Sequence, residues 1–173
     1  MEDPVLVICM GVSGSGKSTV AAELAQKFSL EFIEADAYHS EENKARMKAG
    51  IPLTDEMREP WINTLCQLLK NRRRQGISCA LAYSGLRHAH RQRFRELGFR
   101  TLLLHLVGDR DLIAQRMTQR TGHYMPPSLL DSQFAAMEPA DSEPDLVMVD
   151  GTAPLPEVIE TCRSLVLGLV GPA

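Results

Sequence analysis

Apolar runs and helical spacings alternate along the chain. Val5–Met10 is a continuous apolar run ending at glycine, the pattern of a strand buried on both faces. Beyond Gly16 the period changes, and Val20, Leu24 and Phe28 predict a helix over Lys17–Phe28. Glu31–Ala35 reads as a second strand and Glu41–Ala49 as a short polar helix broken at Gly50-Ile51-Pro52. Thr54 or Asp55 caps a longer helix whose Ile62, Leu65, Leu68 and Leu69 share one face. Pro60 either opens the regular part of that helix or kinks it. Ser78–Tyr83 is a third strand, Arg87–Leu97 a basic helix and Thr101–Val107 a fourth strand. A helix over Asp109–Thr121, an aromatic loop at Gly122–Pro127 and a short helix over Ser128–Met137 follow. Asp145–Val149 is a fifth strand, and Leu155–Leu169 closes the chain as a helix. Strands alternating with helices imply parallel pairing and right-handed crossovers. The expectation is an α/β three-layer sandwich with a five-stranded parallel sheet, one domain over residues 1–173.

Composition narrows the function without fixing it. The 173 residues are 44% apolar and 24% charged, ordinary for a globular chain. No apolar run reaches the length of a membrane span, and the acidic start lacks the basic-then-apolar pattern of a secretory signal. A cytoplasmic protein is expected. Cys9, Cys66, Cys79 and Cys162 lie far apart, with neither CxxC nor metal-ligand spacing, and read as buried apolar side chains in a reducing compartment. The net charge of −3 argues against nucleic acid as a general partner, yet the charge is uneven. From Arg58 to Arg120 there are 13 Lys or Arg against four acids, an excess of +9 that leaves −12 elsewhere. Arg72-Arg73-Arg74 suits a solvated helix end, whereas other arginines could converge on a phosphate or carboxylate.

Gly11-Val12-Ser13-Gly14-Ser15-Gly16-Lys17-Ser18 completes the G-x-x-x-x-G-K-[ST] phosphate-loop pattern, set between a buried strand and a helix. Glycines let successive amides turn inward around a phosphate, and the helix N-terminus adds partial positive charge. Gly11, Ser13, Gly14, Ser15, Gly16, Lys17, Ser18 and Thr19 are therefore candidate nucleotide-binding residues. In such loops the lysine reaches the β- and γ-phosphates and the hydroxyl at the Ser18 position takes Mg²⁺. No NKxD-type guanine motif occurs, and the third strand is followed by Ser84 rather than by an acid. A short chain of this kind reads as an ATP-dependent kinase of small molecules.

The acceptor side begins where the second strand ends, at Glu34-Ala35-Asp36-Ala37-Tyr38-His39. Ligands gather at the carboxyl ends of parallel strands, so Asp36 and His39 should face the phosphate loop. A carboxylate there could accept the proton of an acceptor hydroxyl or hold a metal through water; a helix cap beside a surface histidine is the plainer alternative.

Several segments together resemble the bacterial and eukaryotic gluconokinases of the shikimate-kinase-like group. They are Gly11–Thr19, Glu34–His39, Glu41-Glu42-Asn43, Gly50-Ile51-Pro52-Leu53-Thr54-Asp55, Arg58, Pro60-Trp61, Ser84-Gly85-Leu86-Arg87, Arg91 and Gly122-His123-Tyr124-Met125-Pro126-Pro127. Leu129-Leu130, Gln133-Phe134 and Glu138-Pro139 continue the match, which runs in register from Val5 to Val149. The resemblance implies phosphorylation of D-gluconate at its 6-hydroxyl by ATP with Mg²⁺, in a cytoplasmic enzyme that is often a homodimer. It implies that Asp36 orients or deprotonates the hydroxyl, that Arg58, Arg87 and His123 grip the sugar acid, and that His39 and Ser84 line the same pocket. Arg116 and Arg120, one helical turn apart at the start of a lid over about residues 116–137, would clamp the phosphates or neutralise charge on them. Surface arginines and simple lid packing by His123 are the alternatives there. The chain departs from the family pattern at Glu34, Met57, Tyr83, Gly85, Arg87, His90 and Gln92. Tyr83 adds volume beside the sugar-acid pocket unless it turns into the core. Kinases for another small sugar acid or polyol, and a nucleotide-binding regulatory protein, are the competing readings.

Overall fold

The computed structural model describes residues 2–12, 14–108, 111–113, 115, 128–138 and 143–171, with the backbone alone at 128 and 129. In chain order the elements are β1 (Val5–Met10), α1 (Lys17–Phe28), β2 (Glu31–Glu34), a 3₁₀ turn (Ala35–Tyr38), α2 (Glu41–Lys48) and α3 (Asp55–Arg74). Then come β3 (Cys79–Tyr83), α4 (His88–Arg95), β4 (Arg100–Val107), α5 (Ser128–Ala136), β5 (Leu146–Asp150) and α6 (Leu155–Val170).

The five strands form one parallel sheet in the order β2-β3-β1-β4-β5. Every residue of β1 is buried, as its unbroken apolar run requires of a central strand. Successive side chains alternate across the sheet. Val5, Val7 and Cys9 meet α1 and α6 through Val20, Leu24, Val158 and Cys162. Leu6, Ile8 and Met10 meet α3 and α4 through Ile62, Leu65, Leu69 and Phe94. These two cores make the three layers the sequence predicts.

Among the described residues the expected elements are present, with small shifts at their ends. β2 stops at Glu34, because Ala35 enters the 3₁₀ turn and its carbonyl accepts a hydrogen bond from the Trp61 indole at 2.7 Å. Arg87 is extended and precedes α4 rather than opening it, and β5 lies one residue later than expected. Thr54 is the cap of α3, accepting from the Met57 amide at 3.2 Å, and the helix runs on through Pro60. Acids in its first turn and arginines in its last complement the helix dipole. The helix expected over Asp109–Thr121 lies mostly outside the described residues, as does the loop at Gly122–Pro127.

The strand order places the site. From β1 the chain crosses to β2 on one side, whereas β3 leads to β4 on the other. The crevice at such a reversal lies at the carboxyl end of β1, where the glycine-rich segment begins.

Candidate active site

Gly16, at φ 92°, precedes α1 in a left-handed conformation, and among the described residues no side chain caps the helix start. Its first amides therefore keep their capacity for an external anion. Gly11 packs so closely that an added Cβ would lie 2.7 Å from Ser15 Oγ and 2.9 Å from Leu106 O. Ser15 Oγ is itself buried and has no hydrogen-bond partner among the described residues, which leaves a donor inside the loop for a phosphate oxygen. Lys17 is only 8% exposed and lines a cleft with Asp36, His39, Arg58, Trp61 and Ser84. Ser132 and Gln133 of α5, together with Leu86, also line it. Ser18 donates its hydroxyl to Glu34 at the end of β2, while Thr19 is exposed on α1. Burial raises the Glu34 carboxyl above its ordinary range, aided by Asp36 and opposed by Ser18 and Lys17. A hydroxyl beside a carboxylate is the hard-oxygen set that Mg²⁺ takes.

The acceptor wall is held by a row of aromatic rings. Trp61 stacks on His39 with centroids 4.0 Å apart and planes 20° from parallel. Behind it Tyr83 lies at 5.4 Å, and Phe94 meets Tyr83 edge-on at 5.1 Å. Asn43 Nδ2 donates to the Met57 carbonyl at 3.0 Å and faces His39 Nδ1 at 3.4 Å. A neutral imidazole accepting at Nδ1 carries its proton on Nε2, which lies 4.0 Å from Asp36 Oδ1. Burial lowers the His39 pKa to about 4, outweighing the Asp36 charge that pulls the other way. The unfolded histidine binds a proton near pH 6.5, so between about pH 6.5 and 4 only the unfolded chain is protonated there. Stability should fall across that window as the pH drops. Melting temperatures of wild type and His39→Gln should converge from pH 7 to pH 4; a constant gap would show that His39 does not carry this dependence.

Arg58 Nη1 and Arg87 Nε both reach Asp55 Oδ1 at 3.1 Å, and Arg87 Nη1 lies 3.7 Å from Glu138. One carboxylate thus ties two guanidinium groups from separate elements. Arg58 enters the cleft, whereas Arg87 stays at its rim outside the lining. Lys17, Asp36, His39, Arg58 and Ser84 are therefore brought together, and Arg87 joins them only through Asp55. Ser13, Arg116, Arg120 and His123 lie outside the described residues. Residue-by-residue reasoning left out Glu34, Asn43, Asp55 and Trp61 as site residues; only Glu34, at a strand's carboxyl end, carried a positional signal.

Comparison with known proteins follows the same lines. A family model described as an AAA domain matches residues 6–140. A probable gluconokinase of Rattus norvegicus is 39% identical over 91% of this chain and 95% of its own. The thermosensitive gluconokinase of Escherichia coli K12 is 37% identical over 94% of this chain and 87% of its own. The chain belongs to the gluconokinase family. A crystal structure of a gluconokinase from Sinorhizobium meliloti superposes with a TM-score of 0.83 at 36% identity, covering 98% of this chain and 95% of that one. Within the gluconokinase frame three of the departures, Tyr83, Gly85 and His90, fall behind the pocket, whereas Glu34 meets Ser18 and Arg87 stays at the rim. Tyr83 turns into the α3–α4 core and is 1% exposed, so it takes no volume from the cleft. Gly85, at φ 69°, has no room for a methyl, since an added Cβ would lie 2.8 Å from Met10. His90 pairs with Glu59 at 3.1 Å and ties α4 to α3.

Proposed function

We propose that this chain is a gluconokinase that transfers the γ-phosphoryl group of ATP to the 6-hydroxyl of D-gluconate. The observation that carries the reading is the single cleft in which Lys17 of the phosphate loop shares a wall with Asp36, His39 and Arg58. A nucleotide cradle and an acid–base–arginine acceptor pocket meet there.

The phosphate loop, Gly11 through Thr19, holds the β- and γ-phosphates with its amides, Ser15 and Lys17. Ser18 and Glu34 would hold Mg²⁺, which when bound would supply positive charge against the phosphates. Asp36 accepts the proton of the 6-hydroxyl as its oxygen bonds to the γ-phosphorus, and the bond from that phosphorus to the ADP oxygen breaks. Neutral His39 presents its Nε2–H to the hydroxyl row, Arg58 pairs with the substrate carboxylate, and Ser84 and Arg87 border the same pocket. Arg116, Arg120 and His123, in a lid over about residues 116–137, supply further cations to the phosphates and the sugar acid. The whole chain works as one kinase domain in the cytoplasm, in keeping with free thiols at Cys9, Cys66, Cys79 and Cys162.

Coupled ADP detection with a panel of aldonic acids, polyols and shikimate tests the reading. Gluconate should give the highest kcat/KM. Faster turnover of another acceptor would replace gluconate with that compound, and ATP binding without transfer to any acceptor would favour a regulatory protein.

A further inference from the structure

The side chain that ties the catalytic turn to the core is Trp61, the only tryptophan in the chain. It is 4% exposed and lies on α3, one helical turn beyond Arg58. Its indole N–H donates to the Ala35 carbonyl at 2.7 Å, at the start of the 3₁₀ turn. Its ring face stacks on His39, the residue that ends the turn. Asp36 lies between these two anchor points. The opposite anchor is equally firm, because Tyr83 and Phe94 continue the ring row into the buried α3–α4 core. A short turn fixed at one end by a buried hydrogen bond and at the other by a stacked ring has little freedom to tilt its middle residue.

We infer that Trp61 is the positioning residue for Asp36: it holds the Ala35–Tyr38 turn so that the carboxylate meets the acceptor hydroxyl. This rests on the role of Asp36 proposed above. Asp36 itself has a 26% exposed side chain and lies 4.0 Å from His39 Nε2, a separation too long to fix it. The backbone beneath it must therefore set its direction.

The test is a kinetic double-mutant cycle. Trp61→Phe keeps a ring for His39 but loses the N–H. It should lower kcat by about 10- to 100-fold, the scale of a misplacement near 1 Å, with the KM for ATP unchanged within about twofold. In an Asp36→Asn background the same change should cost less than about threefold, because the group it positions is already gone. Replacing tryptophan biosynthetically with β-(3-benzothienyl)alanine alters this residue alone and swaps the N–H for sulfur at nearly constant shape. That protein should fold and show the same kcat loss, which keeps the test readable if Trp61→Phe unfolds. Val166→Ala, fully buried in the core on the other face of the sheet, is the packing control: its melting temperature should fall while kcat stays within about threefold of wild type. Equal kcat losses with and without Asp36, or a benzothienyl protein with wild-type kcat, would overturn the inference. The cycle uses whichever acceptor of the panel the wild type phosphorylates fastest. An acceptor other than gluconate would thus overturn the substrate reading alone, and a wild type that phosphorylates nothing would overturn both.

Discussion

Lys17→Ala should lower gluconate-dependent kcat by about 10²- to 10³-fold or more, the usual loss when one preorganised donor to transition-state charge is removed. Lys17 opens α1 and lies almost wholly inside the cleft, where water screens its charge poorly. Alanine is a good helix former at that position, so circular dichroism and the melting temperature should stay close to wild type. Asp36→Asn should lower kcat by about 10²- to 10⁴-fold by a different route, removing the base while keeping shape and ATP binding. The two variants separate in nucleotide affinity: Lys17→Ala weakens it, and Asp36→Asn leaves the Kd for ATP within about twofold. Isothermal titration with a non-hydrolysable ATP analogue, beside the coupled assay, reads both quantities. Near-wild-type turnover in Asp36→Asn would remove Asp36 from the chemistry, and unchanged kcat in Lys17→Ala would move the phosphates to another site.

Sequence was informative where the determinants are local. The period switch from Val5–Met10 to Val20, Leu24 and Phe28 is enough to set a strand before a helix, and the glycines between them mark the phosphate loop. The strand order is not local, since nothing in Cys79–Tyr83 says which neighbours it will pair with. Tyr83 shows the limit within one element. Period two puts it on the face of Leu81, but a strand buried on both sides gives no sign of which face meets α3 and α4. The site divides in the same way. Lys17, Asp36 and His39 follow strand ends and were expected there. Asp55 bridges Arg58 to a residue 32 positions away, and Trp61 reaches back 26 positions to Ala35; such pairings exist only once the layers have packed.

Arg91→Met should be the most destabilising single change away from the cleft, costing about 3–5 kcal/mol, because it strips a buried carboxylate of its main partner. Arg91 has no exposed surface. Its guanidinium meets Glu143 through Nε at 3.2 Å and Nη2 at 2.8 Å, and its Nη1 donates to the Gly85 carbonyl at 2.5 Å. A further bond reaches the Glu138 carbonyl at 3.3 Å. Burial alone would raise the Glu143 carboxyl, yet Arg91 and Arg95 hold it below the usual carboxylate range, so it enters the fold ionised. Without Arg91, the Arg95 contact at 2.5 Å remains, but that guanidinium also serves Asp145 at 2.8 Å. For a chain of 173 residues the cost corresponds to a fall of about 6–20 °C in melting temperature. Arg91→Met combined with Glu143→Leu should recover more than half of the loss, since well-packed apolar side chains often replace a buried ion pair at little cost. Thermal melts of the two single variants and the double variant decide it: an Arg91→Met protein melting within about 2 °C of wild type would mean that the pair adds nothing. The same bonds join the Gly85–Leu86 turn, beside Ser84, to Glu138 and Glu143, and the Glu138 amide also donates to the Leu86 carbonyl at 2.7 Å. Leu86 lines the cleft, so a loosened pair should raise the KM for gluconate before it lowers kcat.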